Sequence, residues 1–95
     1  MIRTFADRDA ERLWEGQRVR RFSRDVEKAA MRKLRLINNA VTIQDLRIPP
    51  GNRLEALSGA RSGQHSVRVN DQWRVCFSWR RGDAFDVEIV DYHRG

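Results

Sequence analysis

The stretch from Gly63 to His93 constrains the fold of this chain more than any other part of its sequence. Three runs of alternating apolar and polar residues follow one another there, separated only by short turn segments. This alternation is typical of β-strands with one buried face, and short connections allow only antiparallel neighbours. We therefore expect an antiparallel meander. Its face turned away from the core is expected to display Arg68, Arg74, Arg80 and Tyr92, with His93 at the strand end.

The register of the first hairpin follows from matching the apolar faces of its two strands. A two-residue turn would mix apolar and polar positions, whereas a loop of residues 70–72 sets Val69 opposite Trp73. The same register sets Arg68 directly opposite Arg74. Two like charges at opposed positions destabilise a sheet. Either a nearby carboxylate neutralises the pair, or the two guanidinium groups hold an anion such as a phosphate.

The same parity argument predicts a loop of residues 81–83 in the second hairpin. Arg74 then faces Val90, and Tyr92 lies diagonally next to Arg74. Arg80, at the end of this hairpin, is expected to be solvated.

The N-terminal half reads as helical. Asp7 is a suitable N-cap for a short helix that Gly16 ends, and a second helix is predicted from Ser23 to the pair Asn38-Asn39. Residues 2–5 alternate and could add an edge strand. The segment Pro-Pro-Gly-Asn at 49–52 separates this helical half from the sheet half. The expected fold class is α+β, with two N-terminal helices packed on a small antiparallel sheet in one domain of residues 1–95.

Charge is unevenly distributed along the chain. The formal net charge is +6, and residues 17–36 alone carry eight basic against two acidic residues, which is also +6. Clustered cations favour a polyanion, because binding releases condensed counterions. The segment is either a solvated helix face or a nucleic-acid contact. The contact residues that we single out there are Arg32, Lys33 and Arg35.

The sequence favours phosphodiester chemistry without a metal. The single cysteine, Cys76, excludes an internal disulfide, and the two histidines show no metal-ligand spacing, so we expect no cofactor. His93 titrates near neutrality and could transfer a proton, whereas His65 is expected to pack or cap on the buried face. Apolar runs are short and no signal-peptide core is present, which indicates a cytoplasmic protein without a membrane partner.

Three segments together resemble the HigB toxins of the RelE/ParE superfamily. These are residues 49–59, which begin Pro-Pro-Gly-Asn, residues 63–77, which contain the Trp-Arg strand, and residues 87–93, which end Asp-Tyr-His. The resemblance implies a metal-independent endoribonuclease that cuts mRNA on the ribosome. It also implies inhibition by a HigA-type helix-turn-helix antitoxin, with operator DNA bound only through the complex of the two.

Carried over onto this sequence, the resemblance places the active site at the arginine of the Trp-Arg strand and at the terminal triplet. The expected catalytic residues are Arg74, Asp91, Tyr92 and His93. Residues expected to contact RNA or its phosphates are Arg68, Arg53 and Glu55, together with the helical Arg32, Lys33 and Arg35. Some HigB toxins carry histidine and lysine where this chain has Glu55 and Ser58. The identity of the general base is therefore open: His93 is the best proton carrier, and Glu55, Asp91 or Tyr92 would complete the acid–base pair.

Two other function classes fit parts of the sequence. One is a toxin of the ParE type that acts on DNA gyrase without cleaving RNA, and the other is a basic RNA-binding module. A histidine beside an arginine pair favours the nuclease, because a gyrase inhibitor does not need a proton-transfer group there.

Overall fold

A computed structural model describes residues 1–92 of the chain. The described elements, in chain order, are helices α1 (Arg8–Trp14) and α2 (Arg24–Asn39), the 3₁₀ turns Ile43–Arg47 and Pro50–Asn52, strand β1 (Glu55–Ala56), the 3₁₀ turn Gly59–Arg61, and strands β2 (Gln64–Arg68), β3 (Trp73–Arg80) and β4 (Asp83–Asp91). The strands form one antiparallel sheet in the order β1-β2-β3-β4. The predicted α+β class is thus confirmed, with a short extra strand, β1, at one edge.

Both predicted helices are present, with the predicted N-caps. The Asp7 side chain accepts a hydrogen bond from the Asp9 amide, and the Ser23 hydroxyl accepts one from the Val26 amide. Each bond satisfies a backbone donor that the first helical turn leaves free. Gly16 follows α1 with φ of 85°, a conformation that glycine adopts at low cost.

The hydrophobic core lies between the two helices and one face of the sheet, which we call the helix face. Both helices contact β4, and α2 also contacts β3. Residues of the helices that are almost inaccessible to solvent include Ala10, Leu13, Ala30, Leu34 and Ile37, and they meet Val67, Val75, Phe77, Val87 and Ile89 of the sheet. None of the helices in the described part of the chain is long and apolar enough to cross a membrane.

The first hairpin has the predicted register. Arg68 pairs with Arg74 and Val67 with Val75, and the Val69 amide donates to the Trp73 carbonyl at 2.9 Å. Asn70 fixes the loop of residues 70–72, because its side-chain oxygen accepts from the amides of both Gln72 and Trp73 at 2.8 Å.

The second hairpin corrects the predicted loop. Asp83 pairs with Arg80, so only Arg81 and Gly82 form the turn, and both have positive φ (52° and 80°), as a two-residue turn of the I′ type requires. A β-bulge between Cys76 and Ser78 of β3 and their β4 partners absorbs the change in register. Beyond the bulge, Arg74 therefore still pairs with Val90, as predicted.

Residues 2–5 do not form the predicted edge strand. They lie alongside β4 through two isolated parallel bridges, Ile2 to Ala84 and Phe5 to Val87. The Thr4 hydroxyl accepts a hydrogen bond from the amide of Asp86, whose φ is 54°. The bulge in β4 interrupts regular pairing at this edge, which leaves bridges in place of a strand.

Candidate functional site

A shallow polar cleft of about 450 Å³ lies on the sheet face opposite the helices, which we call the cleft face. Its lining residues are Arg53, Glu55, Arg68, Asn70, Asp71, Arg74 and Tyr92. Five of these were singled out from the sequence. The segment of residues 53–56 after the Pro-Pro-Gly-Asn turn forms one wall, and the end of β4 forms another.

Arg74 is buried, which corrects the prediction that it faces solvent. Only 8% of the residue is accessible, because the segment around β1 folds over the cleft face. Its Nε donates to the Ser66 hydroxyl at 2.8 Å, and one Nη donates to the Arg53 carbonyl at 2.6 Å and to the Ser66 carbonyl at 3.4 Å. These bonds fix the guanidinium group at the base of the cleft.

Carboxylates neutralise both members of the opposed arginine pair, so the first of the two alternatives applies to the free protein. Arg68 forms an ion pair with Asp71, whose side chain is fully exposed. Glu55 lies 3.9 Å from the Arg74 guanidinium and is itself 57% exposed. Because both carboxylates are reached by solvent, an incoming phosphate could replace them at the arginines.

The wall that carries Arg53 and Glu55 is held from below by Asn52, a buried side chain. Its amide nitrogen donates to the carbonyls of Leu46 and Ile48. Its oxygen accepts from the Lys33 ammonium of α2 at 2.7 Å. Arg53 then adopts a left-handed conformation with φ of 44°, and in this position its carbonyl accepts the bond from Arg74.

Lys33 therefore serves the protein's own structure and is not a free phosphate contact. Burial, followed by the positive charges of Arg32 and Arg68, lowers its pKa below the ordinary value for lysine. Arg32 and Arg35 are exposed on a different surface, where they line a groove between α1 and α2 with an apolar floor that includes Leu13 and Met31.

Tyr92 lies next to Arg74, as predicted, and closes the cleft at the end of β4. The guanidinium carbon of Arg74 is 5.8 Å from the centre of the tyrosine ring. The Tyr92 hydroxyl is 3.7 Å from the sulfur of Cys76, which is fully buried. Burial raises the pKa of the tyrosine, and the contact with Cys76 raises it further. Tyr92 is therefore a neutral hydroxyl near neutral pH.

The remaining predicted site residues lie elsewhere. Asp91 pairs with Trp73, which places it on the helix side of the sheet, and its carboxylate accepts a hydrogen bond from Gln72. The structure thus does not bring Asp91 together with Arg74. His93 lies outside the described residues. His65 stacks on Phe77 on the helix face, which confirms its predicted packing role.

Sequence reasoning missed an ion pair next to the cleft. Arg61 donates to the Glu88 carboxylate at 2.6 Å and to the Gln64 side chain at 3.0 Å. The register sets Ser66, Cys76 and Glu88 side by side. That alignment could have indicated that Glu88 shares the cleft face with Arg74, but nothing in the sequence brought Arg61 to it.

The cleft combines groups suited to a reacting phosphodiester. It has three guanidinium groups, two accessible carboxylates and a neutral tyrosine hydroxyl. Cations stabilise the charge that develops on phosphate oxygens, and a carboxylate can accept a proton. Among residues 1–92, no three histidine, cysteine, aspartate or glutamate side chains converge closely enough to hold a metal ion.

Comparison with known sequences gives a consistent family. Residues 3–93 match the family described as "RelE-like toxin of type II toxin-antitoxin system HigB". Toxin HigB-1 of Vibrio cholerae is 40% identical over 95 residues, which are 99% of each chain. Endoribonuclease HigB of Proteus vulgaris is 39% identical over 41 residues, which are 43% of this chain and 45% of the relative.

Two solved structures share the fold. YafQ of E. coli superposes with a TM-score of 0.61 at 16% identity, covering 97% of this chain and 92% of YafQ. A chain of the YoeB–YefM complex of Staphylococcus aureus superposes with a TM-score of 0.59 at 17% identity, covering 99% of this chain and 97% of the other. These likenesses confirm the α+β architecture that the sequence predicted.

Proposed function

Because this chain belongs to the HigB-like toxins of type II toxin–antitoxin systems, we propose that it is an endoribonuclease that cuts translated mRNA on the ribosome without a metal ion. One observation carries the proposal: the cleft places an accessible carboxylate, Glu55, 3.9 Å from the guanidinium group of Arg74, which is held rigidly. A phosphodiester bound at this point would meet a proton acceptor and a cation together. The endoribonuclease name of the Proteus vulgaris relative supports the same activity.

In the proposed reaction, the RNA 2′-hydroxyl loses its proton and attacks the adjacent phosphorus. The bond from phosphorus to the 5′-oxygen breaks, and that oxygen takes a proton as it leaves. The products are a 2′,3′-cyclic phosphate and a 5′-hydroxyl. Such a reaction needs one base, one acid and positive charge around the phosphorus.

We assign the base to Glu55 on the geometry of the cleft. Both carboxylates that line it are accessible, but Asp71 pairs with the partly exposed Arg68, whereas Glu55 lies 3.9 Å from the guanidinium group of Arg74, which is fixed at the base of the cleft. Arg68 and Arg53 would bind the phosphate from the rim, and Arg74 would stabilise the transition state from the base. Tyr92 would donate a hydrogen bond to a phosphate oxygen.

His93 is proposed as the acid that protonates the leaving oxygen. Tyr92, which precedes it directly in the chain, lines the cleft, and histidine is the side chain suited to donating a proton near neutral pH. Asp91 has no direct role in this scheme, because its register position is on the other side of the sheet.

Membership of a toxin–antitoxin family implies an antitoxin as the partner of this protein. We propose that this antitoxin is of the HigA helix-turn-helix type and that operator DNA is bound only through the complex. Translating ribosomes are the proposed target, which places the toxin in the cytoplasm.

The test is cleavage of a defined mRNA in a reconstituted translation reaction, with mapping of the new 5′ ends. Purified toxin should cut the mRNA only when it is translated. Glu55→Gln and His93→Gln should each slow cleavage by roughly 10²–10⁴-fold, the usual span for one acid–base group. Cleavage at parental rates by Glu55→Gln would show that another residue is the general base. An intact mRNA, combined with gyrase-dependent DNA breaks, would replace the proposal with a toxin of the ParE type.

A further inference from the structure

The ion pair between Arg61 and Glu88 crosses the cleft face from one edge towards the other. Arg61 ends the 3₁₀ turn in the loop between β1 and β2, whereas Glu88 belongs to β4. Because Glu88 pairs with Cys76 of β3, the arginine reaches across β2 and β3 to contact it at 2.6 Å. The loop of residues 57–63 is thereby tied to β4, the strand that Tyr92 directly follows.

Beneath this connection lies the contact between Cys76 and Tyr92. The Cys76 thiol is fully buried and lies 3.7 Å from the Tyr92 hydroxyl. Burial raises the pKa of both groups, and the positive charge of Arg61 partly opposes that rise. Arg61 thus lies near enough to the tyrosine hydroxyl to act on it electrostatically, although it does not line the cleft itself.

The pair is poorly placed to serve stability alone. The Arg61 side chain is 37% exposed and that of Glu88 is 28% exposed. Ion pairs with this access to solvent contribute little to the free energy of unfolding. Its geometry is specific, however, since Arg61 is also bonded to Gln64 at 3.0 Å.

We propose that Arg61 and Glu88 are positioning residues for the cleavage reaction, which hold the loop of residues 57–63 against the cleft face and fix the Tyr92 side chain between Cys76 and Arg74. The proposal rests on the proposed nuclease function. Displacement of a positioned group by about 1 Å can cost up to 10²-fold in rate. Loss of the pair should therefore reduce cleavage by roughly 10–10²-fold.

Tyr92 provides a direct readout, because it is the single tyrosine of the chain. Its ionisation can be followed by tyrosinate absorbance near 295 nm, because the absorbance of tryptophan at this wavelength does not change with pH. Arg61→Gln removes the nearby positive charge, so the titration midpoint should move upward. Glu88→Gln leaves that charge in place and should not raise the midpoint. Both variants should cleave translated mRNA more slowly at saturating ribosome concentration.

Three further variants separate positioning from a general loss of charge. Arg61→Lys should retain most of the cleavage rate and the parental midpoint. The exchange Arg61→Glu with Glu88→Arg should recover more activity than either single variant. Arg3→Gln, which breaks an ion pair with Asp83 at the other end of β4, should leave both readouts unchanged.

Parental cleavage by Arg61→Gln and Glu88→Gln would overturn the proposal, and so would an exchange that recovers nothing. An unmoved Tyr92 midpoint in a folded Arg61→Gln variant would overturn it whether or not the toxin is a nuclease. A parental toxin that fails to cut translated mRNA would instead overturn the proposed function. The two failures are therefore distinguishable.

Discussion

Arg68 and Arg74 are opposed in the sheet, yet their surroundings differ. Arg74 is buried and donates hydrogen bonds to the Ser66 hydroxyl, the Ser66 carbonyl and the Arg53 carbonyl. Arg68 is partly exposed, and its partner Asp71 is fully exposed. Arg74 therefore has a structural role beside its proposed role in catalysis, whereas the proposed role of Arg68 is in binding alone.

Substitution of the two arginines by alanine should separate these duties. Arg74→Ala should lower the free energy of unfolding by about 1–3 kcal/mol, because it leaves buried oxygens without donors, and should also abolish cleavage. Arg68→Ala should change stability by less than about 1 kcal/mol, since it removes only an exposed ion pair, while weakening RNA binding. Denaturant unfolding and cleavage of translated mRNA measure the two effects. Parental stability of Arg74→Ala would contradict this account.

At the residue scale, the sequence predicted which side chains meet but not how deeply they lie. Alternation set Arg74, Arg68 and Tyr92 on one face of the sheet. The burial of Arg74 depends on the segment that includes β1, which has only two residues and therefore no alternation of its own. The role of Asn52 was not predicted either, since its hydrogen bonds to the nearby Leu46 and Ile48 carbonyls follow no periodic pattern and its third partner, Lys33, belongs to α2.

At the element scale, the hairpin between β3 and β4 shows where pattern matching stops. Parity predicted a three-residue loop because it assumes regular strands on both sides. The structure instead has a two-residue turn and a bulge at which Asp86 takes a φ of 54°. A non-glycine residue in that conformation gives no signal in the sequence, so neither deviation was predicted. The shorter turn shifts the pairing by one residue and the bulge shifts it back, so Arg74 pairs with Val90 as predicted.

This turn yields a prediction on stability. Gly82→Ala should lower the free energy of unfolding by about 1–2 kcal/mol, because φ is 80° and the added Cβ would lie 3.3 Å from the Val41 carbonyl oxygen. Each kcal/mol corresponds to roughly 4–8 °C in melting temperature for a domain of this size. Gly51→Ala is the matched control, since its φ is not positive and a Cβ there meets nothing within 4 Å. Equal melting temperatures for the two variants would refute the strain argument.

At the scale of the whole molecule, the basic excess and the cleft are separate surfaces. The cleft lining contains three arginines and two carboxylates, which leaves a charge of +1. The exposed side of α2 carries Arg24, Lys28, Arg32 and Arg35. The molecule measures 32 × 30 × 25 Å, and exposed charges are screened beyond about 8 Å at physiological salt. We therefore expect this stripe to affect binding and not the chemistry in the cleft.

Neutralising three of the four exposed basic side chains of α2 tests whether they serve binding and not the chemistry in the cleft. Replacement of Lys28, Arg32 and Arg35 by glutamine should weaken ribosome binding and reduce the slope of log affinity against log salt by about 2. Cleavage at saturating ribosomes should be unchanged. The matched control replaces Arg8, Arg47 and Arg81, which are exposed elsewhere, and should alter the slope less. Equal slopes for the two triple variants would show that the basic residues of α2 act only through the net charge of the protein.

The count of charges along the sequence located the basic segment, but helix geometry is needed to tell which of its residues face the protein and which face solvent. Along α2, Lys33 lies about 100° from each sequence neighbour and so faces Asn52, whereas Arg32 and Arg35 face solvent. The alternation of the sheet and the helix periodicity were sufficient for the fold class. The cleft needed the three-dimensional path of residues 48–63, which has no periodic pattern.

The bulge in β4 also bears on how such a chain can change length during evolution. It lies between the turn at residues 81–82 and the pairing of Arg74 with Val90, so a one-residue insertion or deletion near the turn can be absorbed before it reaches the cleft. On the other side of the cleft, the loop of residues 70–72 has no such buffer, and a change of one residue there would turn Arg68 or Arg74 to the opposite face. Homologous chains should therefore vary in length at the turn of residues 81–82 and keep a constant length in the loop of residues 70–72.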